Sequence, residues 1–136
     1  MPIEDDTIIR TILESSKVIA VVGASVKPYR DSNRIAEYLR RHGYDVIPVN
    51  PAYANIDGVR CYPDLRSIGR QIDIVDVFRK SDAAAAIAAE AIAVKAKTLW
   101  LQLGVIDAHA ARDAEAAGLH VVMDHCIAID HSRLIR

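Results

Sequence analysis

The sequence predicts a single α/β domain built on a doubly wound, mainly parallel sheet. Three observations point there. The strand candidates are short and continuously apolar, as in "KVIAVV" (Lys17–Val22), which suits strands covered on both faces. They alternate with helix-like segments, and that order demands parallel neighbours joined by right-handed crossovers. The chain has 136 residues, one domain's worth, and shows no linker, repeat or low-complexity tract.

The elements follow in order. Asp5 or Asp6 caps a helix through Ser15, in which Ile8, Ile9, Ile12 and Leu13 fall at helical spacing. Lys17–Val22 is the first strand. After the Gly23–Asp31 loop, Asp31 or Ser32 caps a helix that turns Ile35, Ala36 and Leu39 inward, and Gly43 closes it. Tyr44–Val49 is the second strand, stopped by Asn50-Pro51. Asp57-Gly58 marks a turn, Val59–Cys61 a short strand, and Pro63-Asp64-Leu65 the first turn of a short helix. Ile72–Phe78 is an inner strand, and Ser81 caps the Ala-rich helix Asp82–Lys95, alanine being the best helix former. Thr98–Leu103 is the next strand, Asp107 caps a helix to Ala117 closed by Gly118, and His120–Met123 is the last strand. The whole is a Rossmann-like arrangement.

Composition narrows the function classes. Half the residues are hydrophobic (51%) and a quarter charged (26%), the balance of a globular chain. A net charge of −1 supplies no field toward nucleic acid or an acidic membrane surface. No apolar run nears the ~20 residues of a membrane span. The acidic start, "MPIEDD", is the reverse of a secretory leader, so the cytoplasm is the expected compartment. Cys61 and Cys126 stand far apart outside any CxxC, which suggests neither a disulfide framework nor a zinc site.

In a doubly wound sheet, ligands bind outside the carboxyl ends of the strands where strand order reverses. The candidates are Gly23-Ala24-Ser25, Asn50-Pro51, Phe78-Arg79-Lys80, Gln102-Leu103-Gly104 and Asp124-His125-Cys126. Gly23 permits a sharp turn and a close approach to a ligand. The following helix start, with Lys27, Arg30 and Arg34 around it, suits an anion. Five Lys or Arg stand against two acids between Ala24 and His42, a local +3 that favours a phosphate-bearing ligand; taken singly, each is as readily a solvated surface charge. The loop is no dinucleotide fingerprint. It has one glycine of G-x-G-x-x-G, and Asn50 stands where an NAD enzyme places an acid. NADP tolerates the missing acid, but Pro28 fits that turn poorly, and G-x-x-x-x-G-K-[ST] is absent.

The segments "VVGAS", "NRIAEYLRRHGYDVIPVNP", "DIVDVFRK", "LWLQLGV" and "AAGLHVVMDHCIAIDHSRL" together resemble the small stand-alone coenzyme A-binding proteins. Through them the chain is similar to the nucleotide-binding domain at the start of the succinyl-CoA synthetase α subunit, over roughly Thr11 to Leu134. The resemblance implies coenzyme A, or an acyl-CoA, as ligand. By the family pattern Gly23, Ala24 and Ser25 would face the phosphates, helped by Lys27 and Arg34. Asn50 and Pro51 would border the nucleotide, and Val77, Phe78 and Arg79 would line the middle of the cleft. Gly104 and the turn Met123, Asp124, His125 and Cys126 would approach the pantetheine end. The synthetases also need a second domain with a phosphorylated histidine and a partner subunit that binds nucleoside triphosphate. The expectation is therefore a chain that is no complete acyl-CoA synthetase.

Catalytic candidates are few. "DHCIAIDH" gathers Asp124, His125, Cys126, Asp130 and His131, but sequence neighbours rarely converge on one metal ion, and Ile127, Ala128 and Ile129 read as packing. A His125–Cys126 nucleophile pair shows no orienting acid in the sequence; Cys126 reads as a small buried hydrophobe or as a neighbour of a bound thiol. Asp73 and Asp76, three apart on one strand, face opposite sides and make no carboxylate pair. Trp100 reads as core, and Phe78 as core or ligand contact. The expectation is thus a CoA-binding module without its own catalytic machinery, sensing, buffering or presenting CoA. The alternative is an NADP-linked reductase, or an acyl-CoA-handling enzyme using Cys126, in the same cleft; a domain that kept the fold and lost the ligand is a third. A partner enzyme, or a homodimer through the Ala-rich helix or the apolar C-terminus, completes the expected partners.

Overall fold

A computed structural model describes residues 1–135. Five parallel strands form the sheet: β1 (Val18–Val22), β2 (Asp45–Val49), β5 (Ile74–Val77), β6 (Thr98–Leu101) and β7 (His120–Met123), in the order β2-β1-β5-β6-β7. The helices are α1 (Asp6–Ser15), α2 (Asp31–Arg41), α3 (Ala84–Ala93), α4 (Ala108–Ala116) and α5 (Ile127–Leu134). A small hairpin, β3 (Asn55–Ile56) and β4 (Val59–Arg60), lies beyond β2.

Both faces of the sheet are covered. Ala84, Ala88 and Ala91 of α3 and Ala110, Ala111 and Ala114 of α4 pack with Val75, Val77, Leu99 and Leu101 on one face. Ile9, Ile12 and Leu13 of α1, Ala36 and Leu39 of α2, and Ile127 and Leu134 of α5 pack with Ile19, Val21, Ile74 and Trp100 on the other. Ala84, Ala88 and Ala91 of α3 thus serve close helix–sheet contact, while its other alanines face outward. Strand β1 is buried throughout. This is why it reads as an unbroken apolar run.

Local chemistry accounts for several boundaries. Asp5 caps α1 by accepting the Thr7 N–H at 2.8 Å, and Asp107 caps α4 by accepting that of Ala110 at 3.0 Å. Two expected caps are corrected. Arg30, with no side-chain capping bond, occupies the cap position of α2, while Asp31 and Ser32 already lie inside the helix. Ser81 opens a 3₁₀ turn, Ser81–Ala83, ahead of α3. Its hydroxyl accepts the Ile106 N–H at 2.9 Å and reaches the Gly104 carbonyl at 3.3 Å, so it ties two loops together. Asp57 and Gly58 both have positive φ (52° and 79°), the geometry of a tight hairpin turn, and they pair β3 with β4. The short helix after Pro63 is a 3₁₀ turn, Arg66–Ile68. Helix α5 was absent from the elements expected from sequence.

Asp73 and Asp76 have opposite fates. Asp73 stands at the start of β5, where its carboxylate accepts the backbone N–H groups of Lys17 and Val18, both at 2.9 Å. Burial works to raise its pKa, but those two bonds and Lys97 outweigh it and hold the group below the usual range. Asp76 is fully buried in register with Val21 and Trp100, and neither carboxyl oxygen has a hydrogen-bond partner among the described residues. Burial raises its pKa well above the ordinary carboxyl value, so the folded protein keeps it neutral.

A raised carboxyl pKa means that the native state binds a proton the unfolded chain has released. Stability is then fully present below the unfolded value of about 3.9 and is lost as pH rises toward the folded value. Asp76→Val should stabilise the protein at pH 7 by about 1–3 kcal/mol. Its margin over the parent should shrink toward pH 4; denaturant melts across that range that gave a constant margin would refute the buried neutral acid.

Candidate functional site

The switch in strand order lies between β1 and β5. Helix α2, which follows β1, packs on one face, and α3, which follows β5, packs on the other. The divergence opens a cleft of about 960 Å3 at the carboxyl ends of the strands. A second concavity, of about 770 Å3, lies at the opposite edge between α1 and the residues after α3 and α4. That edge meets helix carbonyl ends, whereas the cleft meets the N-termini of α2 and α5. Phosphate chemistry belongs with the latter.

Gly23 turns the chain into the cleft at φ +90°, its N–H bonded to the Val49 carbonyl at 3.0 Å. A Cβ there would fall 2.9 Å from Arg79 Cδ and 3.0 Å from the Phe78 carbonyl oxygen. The stem of Arg79 therefore crosses directly over Gly23. Asn50 fastens the loop, its amide donating to the Ala24 carbonyl at 2.8 Å while its oxygen accepts the Ala52 N–H at 2.9 Å. Asn33 donates to the Ser25 carbonyl at 2.8 Å and to Asp57 at 3.0 Å. The Ser25 hydroxyl in turn accepts the Lys27 N–H at 3.1 Å.

The cleft is strongly basic on this side. Lys27, Arg30, Arg34 and Arg79 line it against the single carboxylate of Asp31, a net +3. Arg34 is partly committed, pairing with Asp31 and donating to the Tyr29 carbonyl at 3.0 Å. Lys27, Arg30 and Arg79 have no ion-pair partner among the described residues. The N–H groups of Asp31 and Ser32, uncapped at the start of α2, are also without partners among them.

Of the residues that the family pattern assigns to the ligand, Gly23, Ala24, Ser25, Lys27, Arg34, Asn50, Phe78, Arg79 and Cys126 line the cleft. Six others do not. Pro51 lies in the turn after β2, and Val77 and Met123 pack into the core on the α3/α4 side. Asp124, at φ 63°, accepts the Gly104 N–H at 2.7 Å, so these two lock the β6 and β7 loops to each other. His125 turns away, with Nδ1 at 2.7 Å from Asp130 and Nε2 at 3.1 Å from Glu4. The orienting acid missing from the sequence reading thus exists, but His125 does not share the cleft with Cys126.

Arg30 and the Gln102-Leu103 pair, expected from the loop and the strand end, also line it, whereas Lys80 does not, and the structure adds Tyr29, Asp31, Ser32, Ile35, Tyr53 and Ile129. Ile129 follows only once α5 is known. Cys126 occupies the cap position of α5, and Gln102, just 5% exposed, accepts the Ile127 N–H at 3.1 Å. Phe78 packs against the core and lines the cleft at once.

The model of a family described as "CoA binding domain" matches residues 17–132. "Uncharacterized protein YneT" of Bacillus subtilis (strain 168) is 38% identical over 124 residues, 91% of this chain and 92% of that one. A solved structure, "hypothetical protein from Pyrococcus horikoshii OT3", is 41% identical with a TM-score of 0.95, covering 100% of this chain and 97% of the other. "Acetate--CoA ligase [ADP-forming] I" of Archaeoglobus fulgidus is 40% identical over 58 residues, 43% of this chain but 8% of that much longer protein.

Two predictions come from this geometry. Gly23→Val should cost about 1–3 kcal/mol from its backbone conformation alone and displace Arg79; equal denaturant midpoints for variant and parent would show that the turn tolerates a side chain. For His125, burial acts to lower the pKa, but Asp130 and Glu4 prevail and raise it. The stabilisation is fully present below the unfolded value of about 6.5 and fades as pH rises through the folded value. His125→Gln should therefore lower the melting temperature most near pH 6, with the deficit narrowing by pH 9, as a thermal-melt series will show.

Proposed function

The chain belongs to the CoA binding domain family, and from that premise we propose that its strand-end cleft holds coenzyme A with the phosphates at the Gly23 loop. The observation that carries this reading is the uncapped start of α2. Two free N–H groups open there into a cleft whose side chains bear a net +3. A pyrophosphate satisfies both the orphan donors and the cations. Gly23 lets the phosphates approach the backbone, with Lys27, Arg30 and Arg79 supplying charge. Arg34 holds the loop's shape through Tyr29 and Asp31. Asn50 serves through the same loop, since both ends of its amide are occupied by backbone groups. Ala24 and Ser25 border the phosphates, and Phe78 forms the floor.

The protein acts as a binding module, sensing or buffering CoA or presenting it to a partner enzyme. Asp124, His125, Asp130 and His131 are engaged with Gly104, with Asp130 and Glu4, with His125 and Arg133, and with Tyr38 respectively. None of these four lines the cleft, which leaves Cys126 there without an acid–base partner from this cluster.

Thermal unfolding with and without CoA, NAD and NADP tests the reading. CoA at 100 times its Kd should add about 2.7 kcal/mol of stability, a shift of several degrees. Arg79→Gln should weaken CoA by about tenfold or more, the cost of one charge-assisted hydrogen bond. A shift with NADP alone would replace the reading with a reductase site. No shift with any of the three would overturn it.

A further inference from the structure

The cleft has two unlike ends. The β1 side carries the free cations and the α2 N-terminus. The β6/β7 side, two to three strand spacings away (about 10–14 Å), carries Gln102, Leu103, Cys126 and Ile129. Leu103 and Ile129 are bare there, at 66% and 59% exposure. The exposed large hydrophobic residues are not scattered. Besides these two, Val26, Tyr29 and Ile106 also lie in segments at the carboxyl edge of the sheet, leaving only Met1 and Ile8 elsewhere among the described residues. Apolar side chains gathered on one edge around a cavity mark a surface that a ligand or partner covers.

Gln102 adds a specific polar feature. Its side chain is nine-tenths buried and fixed, because Oε1 accepts the Ile127 N–H at 3.1 Å. Its Nε2 is then a donor in a cleft-lining residue, with no partner among the described residues. That donor is not among the fully buried unpaired atoms, so it opens to the cleft, where a ligand's acceptor can meet it. Apolar surface next to such a donor fits a carbonyl followed by a hydrocarbon chain better than it fits a bare thiol, which brings neither.

On the CoA reading above, we propose that this cleft is built for CoA as an acyl thioester. The thioester carbonyl accepts from Gln102 Nε2, and an uncharged acyl chain lies over Leu103 and Ile129. Cys126 borders the thioester as a small apolar wall. An acyl group ending in a carboxylate is disfavoured, because the charge would sit on the apolar end.

Titration calorimetry of the whole chain decides this, with CoA, acetyl-CoA, butanoyl-CoA, hexanoyl-CoA, succinyl-CoA and the thioether S-butyl-CoA as probes. Each buried methylene is worth up to about fourfold in affinity, so butanoyl-CoA should bind about tenfold tighter than CoA. Hexanoyl-CoA should bind tighter still, and succinyl-CoA no tighter than acetyl-CoA. S-butyl-CoA, which has the chain without the carbonyl, should fall about 3–10-fold below butanoyl-CoA. Leu103→Ser with Ile129→Ser should flatten the dependence on chain length, and Ile8→Ser, at the far edge, should leave that dependence as it is. Equal affinity for CoA and every acyl-CoA would overturn the acyl seat while leaving CoA binding intact. Equal affinity for S-butyl-CoA and butanoyl-CoA would overturn the Gln102 contact. Failure to bind CoA or any thioester would overturn the CoA reading itself.

Discussion

The cleft exists because β1 and β5 are hydrogen-bonded neighbours whose following helices leave in opposite directions. Right-handed crossovers force α2 to one face and α3 to the other, so the segments after these strands cannot close over one another. Gly23 and Phe78-Arg79 stand at that parting. The approach of Arg79 to Gly23 is tight enough that even a methyl group would collide. A glycine at this point therefore joins fold to function: it lets the β1 loop turn at positive φ, and it lets a cationic side chain cross the place where a phosphate is proposed to lie.

Charge is arranged by the same topology. Helices α2 and α5 begin at the carboxyl edge of the sheet, while α3 and α4 end at the other. The protein's net charge of −1 conceals this polarity, because the basic excess is local to one loop and the start of one helix. A net charge of −1 supplies no global field toward nucleic acid, and it does not bear on a local pocket proposed to hold a few phosphates.

What could be read from the sequence was what repeats. The five parallel strands, α1 to α4 and the Asp57-Gly58 turn all follow from apolar runs, helical spacing and turn chemistry. The cleft residues of β1 and its loop followed from topology. The misses have physical causes. Helix α5 hides because two of its inward positions hold Asp130 and His131, so "IAIDHSRL" lacks an apolar stripe although Ile127 and Leu134 stand a helical repeat apart. Without α5, Ile129 could not be placed at the cleft, nor could His125 be seen turning toward Asp130. The family pattern assigns Val77 to the cleft, but side chains alternate across a sheet, and the neighbour of Phe78 faces the α3/α4 core. Asp76 is the converse. Nothing in "DIVDVF" announces that one of its two acids is fastened to backbone N–H groups while the other is buried with no partner among the described residues.

The position of the far wall depends on polar contacts to an unusual degree. Helix α5 is fastened by Gln102 at its first N–H, by Asp130 between His125 and Arg133, and by His131 against the Tyr38 hydroxyl at 2.9 Å. Ile127 and Leu134 supply its apolar burial, but eight residues with two such anchors could slide or rotate on the sheet. Directional bonds from two other elements, the loop after β6 and α2, remove that freedom, since a shift by one residue would leave buried polar groups unpaired. The orientation so fixed brings Cys126 and Ile129 to the cleft and sets the Gln102 amide beside them. The buried polar residues that hid α5 from the sequence are thus the same ones that give the cleft a defined second end.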